Sequence, residues 1–215
     1  MSEHERVSAS SLGRALFEMG ALRFGSFTLP NGRRSPYDVD LRLVPSHPDI
    51  YTTVLAAYVE LAESVGADKF DAIAGVATAG VTISSPLAVM LKKPMMYVRK
   101  RGEGRGHGRV VEGASKRGSR VLLIDDLVSS GASVAYSAGA LRKEGYRVSD
   151  SVVLVDRLEG GEAKLASIGV KLNSFTTITD LLKALRELKL VKGSQVDAVL
   201  LRSGQSSGAR KAHRK

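Results

Sequence analysis

The stretch Val121-Leu122-Leu123-Ile124-Asp125-Asp126-Leu127-Val128-Ser129-Ser130-Gly131-Ala132-Ser133 decides the reading of this chain. A short apolar run predicts a buried strand over Arg120–Ile124. It ends on two adjacent carboxylates, passes through a turn of small hydroxyl residues and glycine, and enters a helical pattern over Ser133–Glu144 that Gly145 stops. Each part has a chemical use. Gly131 lets a backbone approach an anion closely. Successive N–H groups at a helix start favour a phosphate, and Ser129, Ser130 and Ser133 add hydroxyl donors. Asp125 and Asp126 repel that phosphate and suit the hydroxyls of a sugar, or Mg²⁺ carried by a sugar–phosphate ligand. The plainer alternative is a strand end with polar caps. The chain has no Gly-Lys-Ser/Thr, so this is not a nucleotide P-loop, and no GxGxxG follows a strand.

Outward from this stretch the same rhythm repeats. Phe70–Val76 is an apolar run followed by the small residues Ala77-Thr78-Ala79-Gly80 and a helical pattern over 81–91. Strands are predicted over Pro94–Arg99, Arg147–Asp156 and Val170–Ile178, and helices over 10–22, Asp49–Val65 and Ile178–Leu188. Residues 24–45 read as turn-rich, with Gly25, Pro30-Asn31-Gly32 and Ser35-Pro36. Alternating strands and helices predict an α/β fold with a mostly parallel, helix-covered sheet. Ligands of such sheets sit outside the carboxyl ends of the strands.

The chain has 215 residues, enough for one domain with appendages, and 43% of them are hydrophobic. No apolar run is long enough to cross a membrane. There is no cysteine, which excludes a disulfide framework and thiolate chemistry and fits a reducing cytoplasm. The net charge of +10 resides in two places. Segment 99–120 has a net charge of +6 and segment 203–215 of +4; the rest of the chain balances. The tail, Gly/Ser-rich and then basic, reads as flexible. It lacks interleaved aromatics, so it is not read as a nucleic-acid site. Segment 99–113 has five glycines and reads as a mobile cationic lid, suited to a polyanionic leaving group. A charged surface loop is the alternative. The four histidines are too scattered for a zinc site.

Segment 121–133 resembles the phosphoribosyl-pyrophosphate signature of type I phosphoribosyltransferases. That resemblance implies that Asp125 and Asp126 hold the ribose hydroxyls and that Ser129, Ser130, Gly131, Ala132 and Ser133 hold the 5-phosphate. Three further segments are similar to orotate phosphoribosyltransferases. Ala21-Leu22-Arg23-Phe24-Gly25 with Ser35-Pro36-Tyr37 resembles the N-terminal region that binds the base, which implies orotate contacts for Arg23 and Phe24. Ile73 to Gly80 is similar to the pyrophosphate loop, here with Thr78 and Ala79. Val153 to Gly161 resembles the segment whose arginine, here Arg157, pairs with the orotate carboxylate. A planar guanidinium fork suits a planar carboxylate, while an ion pair with Asp156 or Glu159 is the alternative for Arg157.

Arg99-Lys100 matches the start of the family's catalytic loop, part of which reaches the neighbouring subunit's site. The usual loop lysine falls on Glu103, a departure. A two-residue slip makes Arg105 the loop cation and His107-Gly108 the familiar pair. The resemblance thus implies a type I phosphoribosyltransferase fold over 1–202 with a small hood mainly over 10–45. It implies transfer of phosphoribosyl from 5-phosphoribosyl 1-diphosphate to orotate with Mg²⁺. It also implies a homodimer sharing the 99–113 loop. A purine phosphoribosyltransferase, or a non-catalytic sensor of phosphoribosyl compounds, are the competing readings.

Overall fold

The computed structural model describes residues 7–28, 32, 34–100 and 109–202. These form two compact units, one spanning Pro45–Thr177 and the other made of the described residues on either side of it.

The flanking unit opens with helix α1 (Ala9–Glu18), started by a capping box in which Ser8 and Ser11 exchange side-chain and backbone bonds. Strands β1 (Leu22–Thr28) and β2 (Arg34–Val39) pair antiparallel, with an irregularity between Phe24 and Phe27. Here the structure departs from the turn-rich reading of 24–45. The glycines and prolines of that segment punctuate two short strands whose hydrogen bonds satisfy each other. Leu12, Leu16, Leu22, Tyr37 and Val39 are buried in this unit.

The central unit runs α2 (Pro48–Val65), β3 (Ala72–Val76), α3 (Ala79–Leu91), β4 (Met95–Val98), β5 (Val111–Gly113), β6 (Arg120–Ile124), β7 (Leu127–Val128), α4 (Ala132–Lys143), β8 (Arg147–Asp156), α5 (Gly161–Ala166) and β9 (Lys171–Thr177). The strand order is β5-β4-β3-β6-β8, with β7 and β9 also paired to β8. All pairs are parallel except β4 with β5. Side chains alternate across the sheet. Ala72, Ala74, Met96, Val98, Val121 and Leu123 pack with Val134, Ala138 and Leu141 of α4 on one face. The intervening Ile73, Leu122 and Ile124 are equally buried, and α2 and α3 pack on the sheet as well. The chain then returns to the flanking unit as α6 (Ile178–Glu187) and α7 (Gly193–Arg202). Gly13 of α1 lets α6 approach, since a Cβ there would lie 3.4 Å from Leu181.

Two local outcomes differ from the sequence expectation. Segment 111–113, read as part of a mobile loop, is an edge strand whose Val111 is buried against the sheet. The strand at 120–124 ends at the acid pair as the sequence predicts, but pairing with β8 does not. Ile124 pairs with Val152 and Leu127 with Val155, so the ladder resumes in register beyond Asp125–Asp126. The carboxylates therefore sit at an interruption within a parallel ladder.

Close packing of β3 on α3 is enforced by Gly75. A Cβ there would stand 2.4 Å from Ser84 Oγ and 2.9 Å from the Gly80 carbonyl. Gly75→Ala is expected to destabilise the protein by about 1–3 kcal/mol through overpacking. Gly139→Ala, inside α4 where nothing lies within 4 Å, is expected to stabilise by about 0.5–1 kcal/mol. Urea unfolding of both variants checks the pair; equal effects would contradict the packing argument.

Candidate active site

The carboxyl ends of β3, β6 and β8 lie side by side, and the unusual residues of the sequence follow them. Asp125 is 8% exposed, and its Oδ1 accepts from the Asp126 N–H at 3.0 Å. Burial, reinforced by the neighbouring Asp126 charge, pushes its carboxyl well above the usual range. Asp126 is half-buried, and its Oδ1 accepts from the Leu127 N–H at 2.8 Å. The two acids that the sequence treated as a pair are thus unequal: one faces inward and the other borders solvent.

Two helices begin beside these acids without a side-chain cap. α3 starts after Thr78 and α4 after Gly131, and neither N-cap residue bonds its own helix start. Helix starts of this kind suit an anionic acceptor. Thr78 is exposed and Ala79 partly so. Gly131 has φ 72°, a left-handed turn that L side chains rarely adopt. Its backbone abuts Gly161, where a Cβ would stand 2.7 Å from the Ser129 carbonyl and from Val128. Gly80 is tighter still: a Cβ there would stand 2.4 Å from the Ile124 carbonyl. Backbone-to-backbone contacts therefore hold the 77–80 loop and the 129–133 loop at fixed positions around the acid pair.

A pocket of about 120 Å³ is lined by Asp125, Ser129, Ser130, Gly131, Ala132 and Ser133. A larger one of about 360 Å³ is lined by Ala77, Arg99, Lys100, Ala132, Ser133 and Tyr136 among others. They share the wall Ala132–Ser133. Arg99 pairs with Glu112 of β5 at 3.3 Å, and its N–H donates to the Val110 carbonyl. Lys100 is exposed. Arg105 and His107 lie outside the described residues, as does Glu103.

Arg157 follows β8 and is 6% exposed. Its Nη2 lies 3.0 Å from Glu159 Oε1, while Asp156 Oδ1 accepts from the Leu158 N–H. Burial raises the Asp156 carboxyl, with Glu162 and Glu159 adding to the effect. In the flanking unit Arg23 donates to Asp38 at 2.5 Å and lies over the Phe27 ring. Phe24 packs tilted on Phe17. Both residues are on strand β1.

The acid pair and its two loops have the donors for a sugar diphosphate. They are not a metal cage: no cluster of three or more His, Cys, Asp or Glu side chains occurs among the described residues. The unequal carboxylates fit a Mg²⁺ ion bound mainly through substrate oxygens, the usual habit of that ion.

Sequence reading missed Tyr58. It is fully buried on α2, and its hydroxyl donates to the Asp125 carbonyl at 2.6 Å and accepts from the Leu154 N–H at 3.0 Å. It bridges the break in the β6–β8 ladder where the acids sit. Burial and the two nearby aspartates hold the phenol protonated. In sequence it is an ordinary apolar position of an amphipathic helix, and nothing local marks its partners. Tyr58→Phe removes the phenol from the Asp125 carbonyl, while the Leu154 N–H keeps the Asp126 carbonyl at 3.0 Å, and should cost about 0.5–1.5 kcal/mol in urea unfolding. An unchanged midpoint would contradict this role.

Comparisons with known proteins agree with this geometry. A family model described as "Phosphoribosyl transferase domain" matches residues 46–179. An orotate phosphoribosyltransferase of Cenarchaeum symbiosum is 39% identical over 179 residues, covering 83% of this chain and 90% of that one. The crystal structure of orotate phosphoribosyltransferase from Aeropyrum pernix aligns with TM-score 0.71 and 36% identity, over 83% of this chain and 99% of the other. The structure of Leishmania donovani UMP synthase aligns with TM-score 0.80 and 33% identity; 93% of this chain spans 43% of that longer one. With its acid pair, twin loops and parallel sheet, this chain belongs to the phosphoribosyl transferase family, among the orotate phosphoribosyltransferases.

Proposed function

We propose that this chain transfers the phosphoribosyl group of 5-phosphoribosyl 1-diphosphate to orotate, giving orotidine 5′-monophosphate and diphosphate in pyrimidine synthesis. The observation that carries the reading is the convergence, within one unit, of the Asp125–Asp126 pair with two uncapped helix N-termini. A ligand with a sugar diol between two anionic ends matches that arrangement.

Asp126, with Asp125 behind it, takes the ribose hydroxyls. The amides and hydroxyls of Ser129–Ser133 take the 5-phosphate, and Thr78, Ala79, Arg99 and Lys100 take the diphosphate. Arg157 pairs with the orotate carboxylate, and the sequence resemblance makes Arg23 and Phe24 orotate contacts. In the reaction a bond forms between a ring nitrogen of orotate and the anomeric carbon, and the proton of that nitrogen passes to the departing diphosphate or to water. The bond from that carbon to diphosphate breaks, and diphosphate leaves with the electron pair. No protein nucleophile is needed, so catalysis rests on positioning and on stabilising charge as it develops on the leaving group. Arg99, Lys100 and Arg105 supply positive charge there, and His107 accompanies them in the loop. Mg²⁺ carried by the substrate's oxygens would neutralise diphosphate charge, and Asp125 is the residue that would face it.

The protein acts as a cytoplasmic homodimer with the 99–113 loop shared across the interface; the basic segment 203–215 lies outside the described residues. The exposure of Val89 (78%) and Met90 (50%) on α3 supports a partner subunit covering that helix. No helix among the described residues is long and apolar enough to cross a membrane.

Orotate absorbance, followed with 5-phosphoribosyl 1-diphosphate and Mg²⁺, is expected to fall, while adenine and hypoxanthine remain unconsumed. Consumption of a purine instead of orotate would overturn the assignment. Arg105→Ala is expected to lower kcat by about 10²-fold or more, the scale of one lost transition-state donor, and Glu103→Gln to leave it near wild type. The reverse pattern would remove Arg105 from the role of loop cation.

A further inference from the structure

A guanidinium as buried as that of Arg157 needs a counter-charge, because an unpaired buried ion costs several kcal/mol. In this chain the counter-charge is Glu159, two residues on, with Nη2 and Oε1 3.0 Å apart. The approach has the distance of an ion pair without the alignment of a hydrogen bond. Asp156 Oδ1 accepts from the Leu158 N–H at 2.8 Å. Glu159 is the more open of the pair, with its side chain 23% exposed against 7% for Arg157. It sits on a turn where Leu158 has φ 56° and Gly160 φ 91°. The leucine adopts a conformation that costs a non-glycine residue roughly 1–2 kcal/mol. That turn continues into Gly161, which abuts the 129–131 loop.

We propose that Glu159 is an internal stand-in for the substrate's carboxylate. It neutralises Arg157 in the ligand-free enzyme and is exchanged for the carboxylate of orotate. The proposal rests on the reading of Arg157 as the orotate-carboxylate residue and adds what sets affinity there. Exchange of one carboxylate for another leaves the charge of the buried arginine balanced throughout. The measured affinity for orotate is then the difference between two carboxylate pairings. The fraction of molecules in which Arg157 is occupied by Glu159 weakens apparent binding in proportion. A ligand of the same shape without a carboxylate cannot displace Glu159, so the exchange also selects for an anionic base.

Glu159→Gln separates this role from a purely structural one, because it moves two observables in opposite directions. Removal of the competing charge lowers KM for orotate, by at least about threefold if the pair is mostly formed in the free enzyme. Removal of the counter-charge lowers the melting temperature of the ligand-free protein, and orotate then raises that temperature by more than in wild type. KM for 5-phosphoribosyl 1-diphosphate stays unchanged. A structural role alone would lower the melting temperature and raise KM for orotate. That outcome, or an unchanged KM, would overturn the proposal. If Glu159→Gln does not fold, Glu159→Asp keeps the charge on a shorter arm and should lower KM for orotate less steeply; a raised KM there would overturn the proposal equally. Arg157→Lys tests the underlying reading separately. An unchanged KM for orotate in Arg157→Lys would remove Arg157 from the base site and the proposal with it. A raised KM there, with KM unmoved or raised in Glu159→Gln, would reject only the exchange.

Discussion

The site depends on one close approach, that of Gly80 to the Ile124 carbonyl and the Asp125 Cα. The start of α3 lies directly against the backbone that carries the acid pair, with no room for a methyl group between them. The amides proposed for the diphosphate and the carboxylates proposed for the ribose are therefore placed relative to each other by main chain, without side-chain rotamers intervening. Gly161 repeats the device on the other side, where β8's turn abuts the 129–131 loop. Both contacts join neighbouring strand ends of a parallel sheet, where α/β folds place their ligands. Preorganisation of this kind is what a displacement without a covalent intermediate needs, since orientation supplies a large share of the rate.

The same compactness carries an electrostatic cost. Asp125 is buried beside a second carboxylate, and its ionisation is disfavoured by desolvation and by that neighbour. The chain offsets part of this with backbone N–H donors to both carboxylates. A sugar hydroxyl and a substrate-borne cation would offset the rest. Ligand binding thereby relieves the cost of burying Asp125 beside a second acid. Arg157 and Glu159 manage the opposite charge in the same way, with an internal partner in place of the ligand.

Much of this was legible in the sequence, because the strand–helix alternation has distinct periods and the anion loops are local. The 121–133 segment contains its strand, acids, glycine and helix start in contiguous order, so one reading captures all of them. Helix α2 and strand β8 match their sequence limits closely for the same reason. What was not legible depends on distant partners. Tyr58 acquires its role from residues 67 and 96 positions away. β7 is two residues long and exists only because β8 continues past the acid pair. β5 is three residues of an otherwise glycine-rich, charged segment, fixed by pairing with β4. The hairpin β1–β2 is punctuated by turn formers that mask it. Residues 101–108, where Glu103 departs from the family pattern, lie outside the described residues, and Arg105 is assigned as loop cation from sequence register.

The central claim is that two uncapped helix starts and the acid pair form one receptor for a sugar diphosphate. Amide hydrogen exchange with and without 5-phosphoribosyl 1-diphosphate and Mg²⁺ tests it most directly. The account predicts added protection at residues 78–81 and at 129–133 together, with the N-terminal amides of α1 unchanged. Protection at only one of the two loops, or at neither while the ligand is bound, would contradict it.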